Sequence, residues 1–160
     1  MTDASDPVAP HPPGGVFDGT THLYAVRVYY EDTDLSGIVY HANYLRWFER
    51  ARSDVLRMLE IDQRAAIEAG EGAYAVADVQ LRYLRPALLD DDLVIHTRCS
   101  ELRAASVRME QEAKRDGETI CTAHLRVGFV APNGRPRRQP EAWREAFTKI
   151  LDTRPLGEPA

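Results

Sequence analysis

Residues 28–52 read VYYEDTDLSGIVYHANYLRWFERAR, and a change of rhythm inside them decides the fold. As far as Asn43 the stretch is polar and carries Gly37, which permits a sharp turn. From Tyr44 onward apolar residues recur at steps of three and four: Tyr44, Phe48, Ala51, Val55, Met58 and Leu59. Arg46, Glu49, Arg50, Arg52, Asp54 and Arg57 fill most of the positions between them. That spacing predicts an amphipathic helix of about 15 residues, with one apolar stripe that must be buried on another element. Asn43 stands where a helix N-cap belongs.

On either side the period falls to two. Residues 22–30 (HLYAVRVYY) alternate and are rich in β-branched and aromatic types, as a strand requires. Downstream, a short helix over 62–69 ends at Gly70. Four strands follow, over 73–85, 93–100, 105–115 and 118–130, with Val79, Leu81 and Tyr83 sharing one face of the first. Asp116-Gly117 is the strongest hairpin signal in the chain. A last helix over 141–151 carries Trp143, Phe147 and Ile150. Strands joined by hairpins form an antiparallel sheet, and the long helix must lay its stripe on it. The expected class is α+β, with five strands.

Residues 1–21 are rich in proline and glycine without a period, and read as a disordered tail. The domain is expected over 22–152, with a frayed end over 153–160. At 160 residues the chain suits one domain with one core. Its net charge of −5 argues against a nucleic-acid footprint. No run is long and apolar enough for a membrane helix, and the start lacks the order of a secretory signal, so the cytoplasm is the expected compartment. Cys99 and Cys121 sit in alternating apolar runs and read as buried thiols, although spacing alone leaves a cross-strand disulfide open. No G-x-G-x-x-G or P-loop is present, and no His/Cys/Asp spacing suggests a metal.

The chemistry concentrates in the opening stretch. Asp34 lies three residues before Gly37, and His41 seven residues after Asp34, just before the helix. A carboxylate on a loop can act as general base or nucleophile. The first turn of a helix offers unpaired N–H groups that can stabilise an oxyanion. The same residue types also serve as caps and loop hydrogen bonds, so the pattern alone does not establish catalysis.

The runs Arg27–Asp34 (RVYYEDTD), Gly37–Tyr44 (GIVYHANY) and Phe48–Arg52 (FERAR) resemble the signature of hotdog-fold acyl-CoA thioesterases related to 4-hydroxybenzoyl-CoA thioesterase. They are most similar to the Tol–Pal-associated YbgC-type subgroup. The resemblance covers residues 23–139 and implies a hotdog, an antiparallel sheet wrapped around one long helix. It implies that Asp34 is the catalytic carboxylate and that the His41 N–H polarises the thioester carbonyl. Gly37 and Tyr40 would line the same loop. It further implies an acyl-CoA or acyl-carrier-protein substrate, no cofactor, and a homodimer or homotetramer with sites at the subunit interface.

Further candidates carry weaker signals. Glu49 occupies the helix position where another hotdog clan keeps a catalytic glutamate; an ion pair with Arg46, Arg50 or Arg52 is the plainer account. Coenzyme A carries phosphates, which arginine forks match. Arg135, Arg137 and Arg138 form one basic cluster, and Arg82 with Arg85 a second. His96 and His124 read as sheet histidines, and Tyr74, Tyr83 and Trp47 as core or pocket wall. A non-catalytic acyl-CoA-binding or envelope-associated interaction module is the competing function, but it has no need of Asp34. A hotdog hydratase would carry an asparagine–proline–isoleucine–histidine context, where this chain has Gly-Ile-Val-Tyr-His.

Overall fold

The computed structural model describes residues 9–155. The period-3.6 stretch forms helix α1, Asn43–Met58. Tyr44, Trp47, Phe48, Ala51 and Val55 are buried along one side of it, while Met58 is exposed where the helix ends. The strands are β1 (Val16–Asp18), β2 (Thr21–Arg27), β3 (Ala73–Tyr83), β4 (Asp92–Leu102), β5 (Ser106–Arg115) and β6 (Glu118–Val130). Two shorter helices are α2 (Gln63–Glu68) and α3 (Glu141–Thr148). All strand pairs are antiparallel, in the order β1-β2-β4-β5-β6-β3.

α1 packs on the sheet through one cluster that joins Tyr44, Trp47, Phe48 and Ala51 to Tyr24, Val26, Leu93, Ile95, Ala113 and Leu125. A second cluster, around Val55, Met109, Val127, Phe147 and Ile150, brings in α3. Cys99 and Cys121 are free, buried thiols in these two clusters. Among the described residues no helix is long and apolar enough to cross a membrane.

Several sequence expectations need correction. The sheet has six strands, not five. The additional strand, β1, lies in the segment read as tail: Val16, Phe17 and Asp18 pair with Leu23, His22 and Thr21 across a two-residue turn. A three-residue strand next to Pro12-Pro13 and Gly14-Gly15 shows no period of its own; only its partner reveals it. Residues 1–8 of the expected tail, and 156–160 of the expected frayed end, lie outside the described residues. Near the C-terminus the Arg154 carbonyl accepts from Arg98 Nη2 at 2.9 Å, beyond the expected boundary at 152.

Asn43 is the first residue of α1 and not its cap; Ala42 takes that position with no side-chain bond. The β2 strand ends at Arg27, because Tyr30–Asp32 turns as a 3-10 segment. On β3 the alternation was correct about facing but not about cover. Val79, Leu81 and Tyr83 oppose Leu125, Ala123 and Cys121, yet Val79 and Tyr83 remain exposed at the sheet's edge.

The N-terminal segment is fastened by Asp54 of α1. Its Oδ2 accepts the Gly15 N–H at 2.8 Å and lies 2.6 Å from Nε2 of the fully buried His22. A Cβ on Gly15 would stand 2.4 Å from the Leu23 carbonyl and 2.5 Å from His22 Nε2. We therefore expect Gly15→Ala to lower the urea midpoint, at a cost of about 1–3 kcal/mol from overpacking. Gly14→Ala, whose Cβ would meet only Asp54 Oδ1 at 3.6 Å, should stay within about 0.5 kcal/mol of the parent. Equal midpoints for the two variants would mean that the segment does not pack on the domain.

Candidate active site

The loop that carries Asp34 is closed on itself. Thr33 and Val39 form an antiparallel bridge, the Asp34 N–H donates to the Ile38 carbonyl at 3.1 Å, and the Gly37 N–H donates to the Asp34 carbonyl at 3.0 Å. Gly37 sits at φ 82, a left-handed conformation that a side chain would strain. Asp34 Oδ1 accepts the Ser36 N–H at 2.8 Å and, in a very short contact, the Ser36 hydroxyl. These two bonds, hydroxyl first, hold the Asp34 carboxyl below the ordinary carboxylate range, and nearby His41 adds to the effect. Asp34 is exposed and therefore ionised at neutral pH.

Buried Asp32 ties this loop to α1. Its Oδ1 accepts Asn43 Nδ2 at 3.0 Å, its Oδ2 accepts the Tyr29 N–H at 2.7 Å, and its backbone carbonyl accepts the Tyr40 N–H at 2.9 Å. His41 is thereby held two residues ahead of the first helical residue. Its carbonyl accepts the Tyr83 hydroxyl at 2.8 Å, while its N–H meets no acceptor among the described residues. The His41 ring lies 4.5 Å from that of Tyr40 and 6.4 Å, edge-on, from that of Tyr83. Ile38, Val39, His41, Tyr44, Tyr83 and Arg85 line a largely apolar groove of about 340 Å³. Burial raises both phenols in it, Tyr44 to about 12, so both remain protonated.

The structure thus gathers Asp34, Gly37, Tyr40 and His41 at one helix start. It places the other candidates elsewhere. Glu49 Oε2 pairs with Arg52 Nη2 at 2.6 Å, and its Oε1 accepts the Ser53 hydroxyl at 3.0 Å. Arg52 is only 8% exposed, and its Nη1 donates to fully buried Gln111 at 2.9 Å. Gln111 Nε2 in turn donates to the Phe48 carbonyl and to Thr97 Oγ1. Glu49 lines a narrow cleft of about 70 Å³ with Arg52, Tyr74, Val76 and Phe147. Arg137 donates to the Glu71 carbonyl at 2.5 Å, and Arg138 stands 3.7 Å from Glu141. Arg85 is the member of the two basic clusters that reaches the His41 groove, and it pairs there with Glu118.

Sequence reasoning left Tyr83 undecided between core and pocket wall; it is groove wall. Ser36 was missed, although a serine two residues after an aspartate is a readable Asx-turn signal. Arg52 and Gln111 are far apart in sequence, and no local pattern announces their pairing. Burial pushes both cysteine thiols up to about 12, which makes them poor nucleophiles.

This arrangement sets an unpaired N–H at a helix start near an ionised carboxylate, and the proteins it is similar to are named for thioester cleavage. Residues 36–122 match the family model described as Thioesterase superfamily. Over 107 residues, covering 67% of this chain and 79% of the other, it is 41% identical to "Acyl-CoA thioesterase YbgC" of Haemophilus influenzae. It is 38% identical over 125 residues to "Acyl-CoA thioester hydrolase YbgC" of Escherichia coli O157:H7, covering 77% and 92%. A probable thioesterase from Bartonella henselae superposes with a TM-score of 0.71 at 36% identity, over 75% of this chain and 99% of that one. The chain belongs to the thioesterase superfamily, as a YbgC-type hotdog protein.

The Ser36 hydroxyl is the largest cause of Asp34's low pKa. In Ser36→Ala the backbone N–H remains and the hydroxyl is lost. The Asp34 carboxyl should then titrate at higher pH than in the parent, toward the ordinary value of about 3.9. Carbon-detected NMR of the side-chain carboxyl measures this directly, without reference to activity. An unchanged titration would show that the hydroxyl does not hold the carboxylate.

Proposed function

We propose that this protein hydrolyses acyl-CoA thioesters to a free carboxylic acid and a thiol, and that acyl-carrier-protein thioesters fit the same chemistry. The observation that carries this reading is the pairing of Asp34, ionised and exposed, with the unpaired His41 N–H at the start of α1. Both Ser36 bonds fall on Oδ1, so Oδ2 is the oxygen left to react.

Two routes use that oxygen. As general base, Oδ2 takes a proton from the attacking water while the water oxygen bonds to the thioester carbon. As nucleophile, Oδ2 itself bonds to that carbon and forms an anhydride, which water then opens. In either case the carbonyl oxygen becomes an oxyanion facing the His41 N–H and the positive end of α1. Collapse breaks the C–S bond. The thiolate leaves readily and takes up the proton that water supplied. Gly37 and Tyr40 shape the loop around the carbonyl.

The reading extends to assembly. β3 is an edge strand of 11 residues, and Val76, Val79 and Tyr83 are 48%, 40% and 49% exposed on it. An uncovered edge of that length favours pairing with another strand. Antiparallel pairing of two copies about the middle of β3 sets the Tyr83 end of one against the Tyr74 end of the other. The His41 groove of one copy then meets the partner's Glu49 cleft. Arg137, whose N–H donates to the Phe129 carbonyl next to Tyr74, comes to the rim with Arg138. This gives Glu49 a place beside the acyl group and the two arginines a place beside coenzyme phosphates.

Asp34→Asn should keep the fold and lose about 10²–10⁴-fold in hydrolysis rate with acyl-CoA substrates, measured by thiol release. His41→Ala retains the N–H and should lose less than the 10²–10³-fold or so typical of removing an oxyanion donor. A folded Asn variant at parental kcat would remove Asp34 from the mechanism. If His41→Ala is as inactive as Asp34→Asn and one limb of the pH–activity profile disappears with it, the histidine ring is an acid–base partner instead. For assembly, light scattering should give at least twice the 18.0 kDa chain mass, and Val79→Lys should shift the protein toward monomer. A parent that is monomeric at micromolar concentration contradicts the interface site.

A further inference from the structure

Asp32 holds the turn that presents the His41 N–H by both of its ends. Its carbonyl accepts the Tyr40 N–H at 2.9 Å, and its Oδ1 accepts Asn43 Nδ2 at 3.0 Å. The turn closes between those ends, with the Asn43 N–H donating to the Tyr40 carbonyl at 2.9 Å. Two anchors on one residue leave one motion open: His41 and Ala42 can swing about the line that joins them. Such a swing carries the N–H and the carbonyl of His41 together.

Tyr83 supplies the anchor that stops it. Its hydroxyl donates to the His41 carbonyl at 2.8 Å. That carbonyl precedes the helix, and no backbone N–H reaches it among the described residues. Ala42, at the cap position, has no side-chain bond to offer. Tyr83 belongs to a different element and is well supported there. Its backbone pairs with Cys121 of β6, and the next N–H, that of Leu84, donates to the Ile120 carbonyl at 2.9 Å. Its ring meets that of buried Tyr44, with centroids 5.7 Å apart. Burial does not force the bond: Tyr83 is 49% exposed, so water would satisfy its hydroxyl. The hydroxyl is nevertheless spent on the one residue of the turn whose N–H is left open to the groove.

We propose that Tyr83 is a positioning residue for thioester hydrolysis, setting the direction of the His41 N–H by holding the carbonyl of the same residue. The inference rests on the hydrolytic reading of this site. Tyr83 acts through His41 and not on the reacting atoms. A donor fixed in direction beforehand needs no reorganisation as charge develops on the carbonyl oxygen of the substrate. Because β3 is an edge strand, the same hydroxyl ties the rim of the sheet to the start of α1.

Tyr83→Phe keeps the ring and the groove wall and removes only the hydroxyl. Its kcat for acyl-CoA hydrolysis should fall by about three- to tenfold, the scale of one hydrogen bond, with KM within about twofold of the parent. A residue that is wall alone gives the opposite pattern, a raised KM at parental kcat. Thr148→Val is the control. Thr148 also donates its hydroxyl to a backbone carbonyl at 2.8 Å, that of Arg144, but does so on α3. Its loss should leave both constants unchanged. The direction of the N–H is read without reference to activity, from the one-bond N–H residual dipolar coupling of His41 in isotope-labelled protein. In Tyr83→Phe this coupling should change, while the couplings of Asn43–Met58 still fit the parental helix. An unchanged His41 coupling overturns the proposal. So does parental kcat in Tyr83→Phe, a change confined to KM, or an equal fall in Thr148→Val. Any of these leaves the hydrolytic reading standing, provided that the parent releases thiol and Asp34→Asn does not. A parent that releases no thiol contradicts that reading instead, and the dipolar coupling then decides alone whether Tyr83 directs the N–H.

Discussion

One apolar stripe on α1 must leave water, and the rest of the molecule is arranged around that need. Tyr44, Trp47, Phe48, Ala51 and Val55 are at most 3% exposed, which an isolated 16-residue helix could not achieve. Burying each large member contributes about 1.5–3 kcal/mol, and only a broad sheet offers a matching surface. The burial draws in a residue of the wrong kind: Arg52 goes under with the stripe. A buried guanidinium is costly unless every side of it is met. Glu49 meets it from the helix and Gln111 from β5, and Gln111 spends its own amide on Thr97 and the Phe48 carbonyl. The stripe thus fixes the helix's rotation as well as its contact with the sheet.

Fixing the helix also fixes its N-terminus, where the candidate catalytic groups gather. Asp32 is the link between the two. A single buried carboxylate accepts from the loop before it and from the first helical side chain after it, while its carbonyl holds Tyr40. Asp34 and His41 are therefore set by the same anchor from opposite ends of one tight loop. Donors and charges fixed before the reaction need not reorganise during it, which is why such positions carry much of an enzyme's rate enhancement. Asp32 and Asp34 are two residues apart and chemically identical, yet burial makes one a tether and exposure leaves the other open to solvent.

Local rules made most of this visible. The shift from a two-residue to a 3.6-residue rhythm at Tyr44 marked α1, and Asp116-Gly117 marked the β5–β6 hairpin. The spacing of Asp34, Gly37 and His41 marked the loop. What stayed hidden depends on partners distant in sequence. β1 is a strand because β2 lies beside it, and Gly15 is ordered because Asp54 is 39 residues away. Alternation on β3 told which way Val79 and Tyr83 face but not that the sheet ends there. Asn43 looked like a cap and has cap chemistry, but tertiary structure gave its amide to Asp32. In each case sequence determined a residue's capability, and a remote contact determined its use.

The same constraint explains why the open spaces lie where they do. A single helix on a single sheet fills the space between them, so cavities form along the helix's margins. The His41 groove lies at the α1 N-terminus, the Glu49 cleft on the β3 side and a cavity lined by Arg50 and Arg57 on the β1 side. Residues one position apart on α1 therefore face different spaces: Glu49 turns toward β3, while Arg50 turns toward the N-terminal segment. A helix step of 100° separates their chemistry as fully as a domain boundary would. The margin beside β3 is bounded by an uncovered strand edge and can gain a wall from another chain. The margin beside β1 already has its second wall, because Asp54 draws Gly15, and Pro12 and Pro13 with it, over the helix.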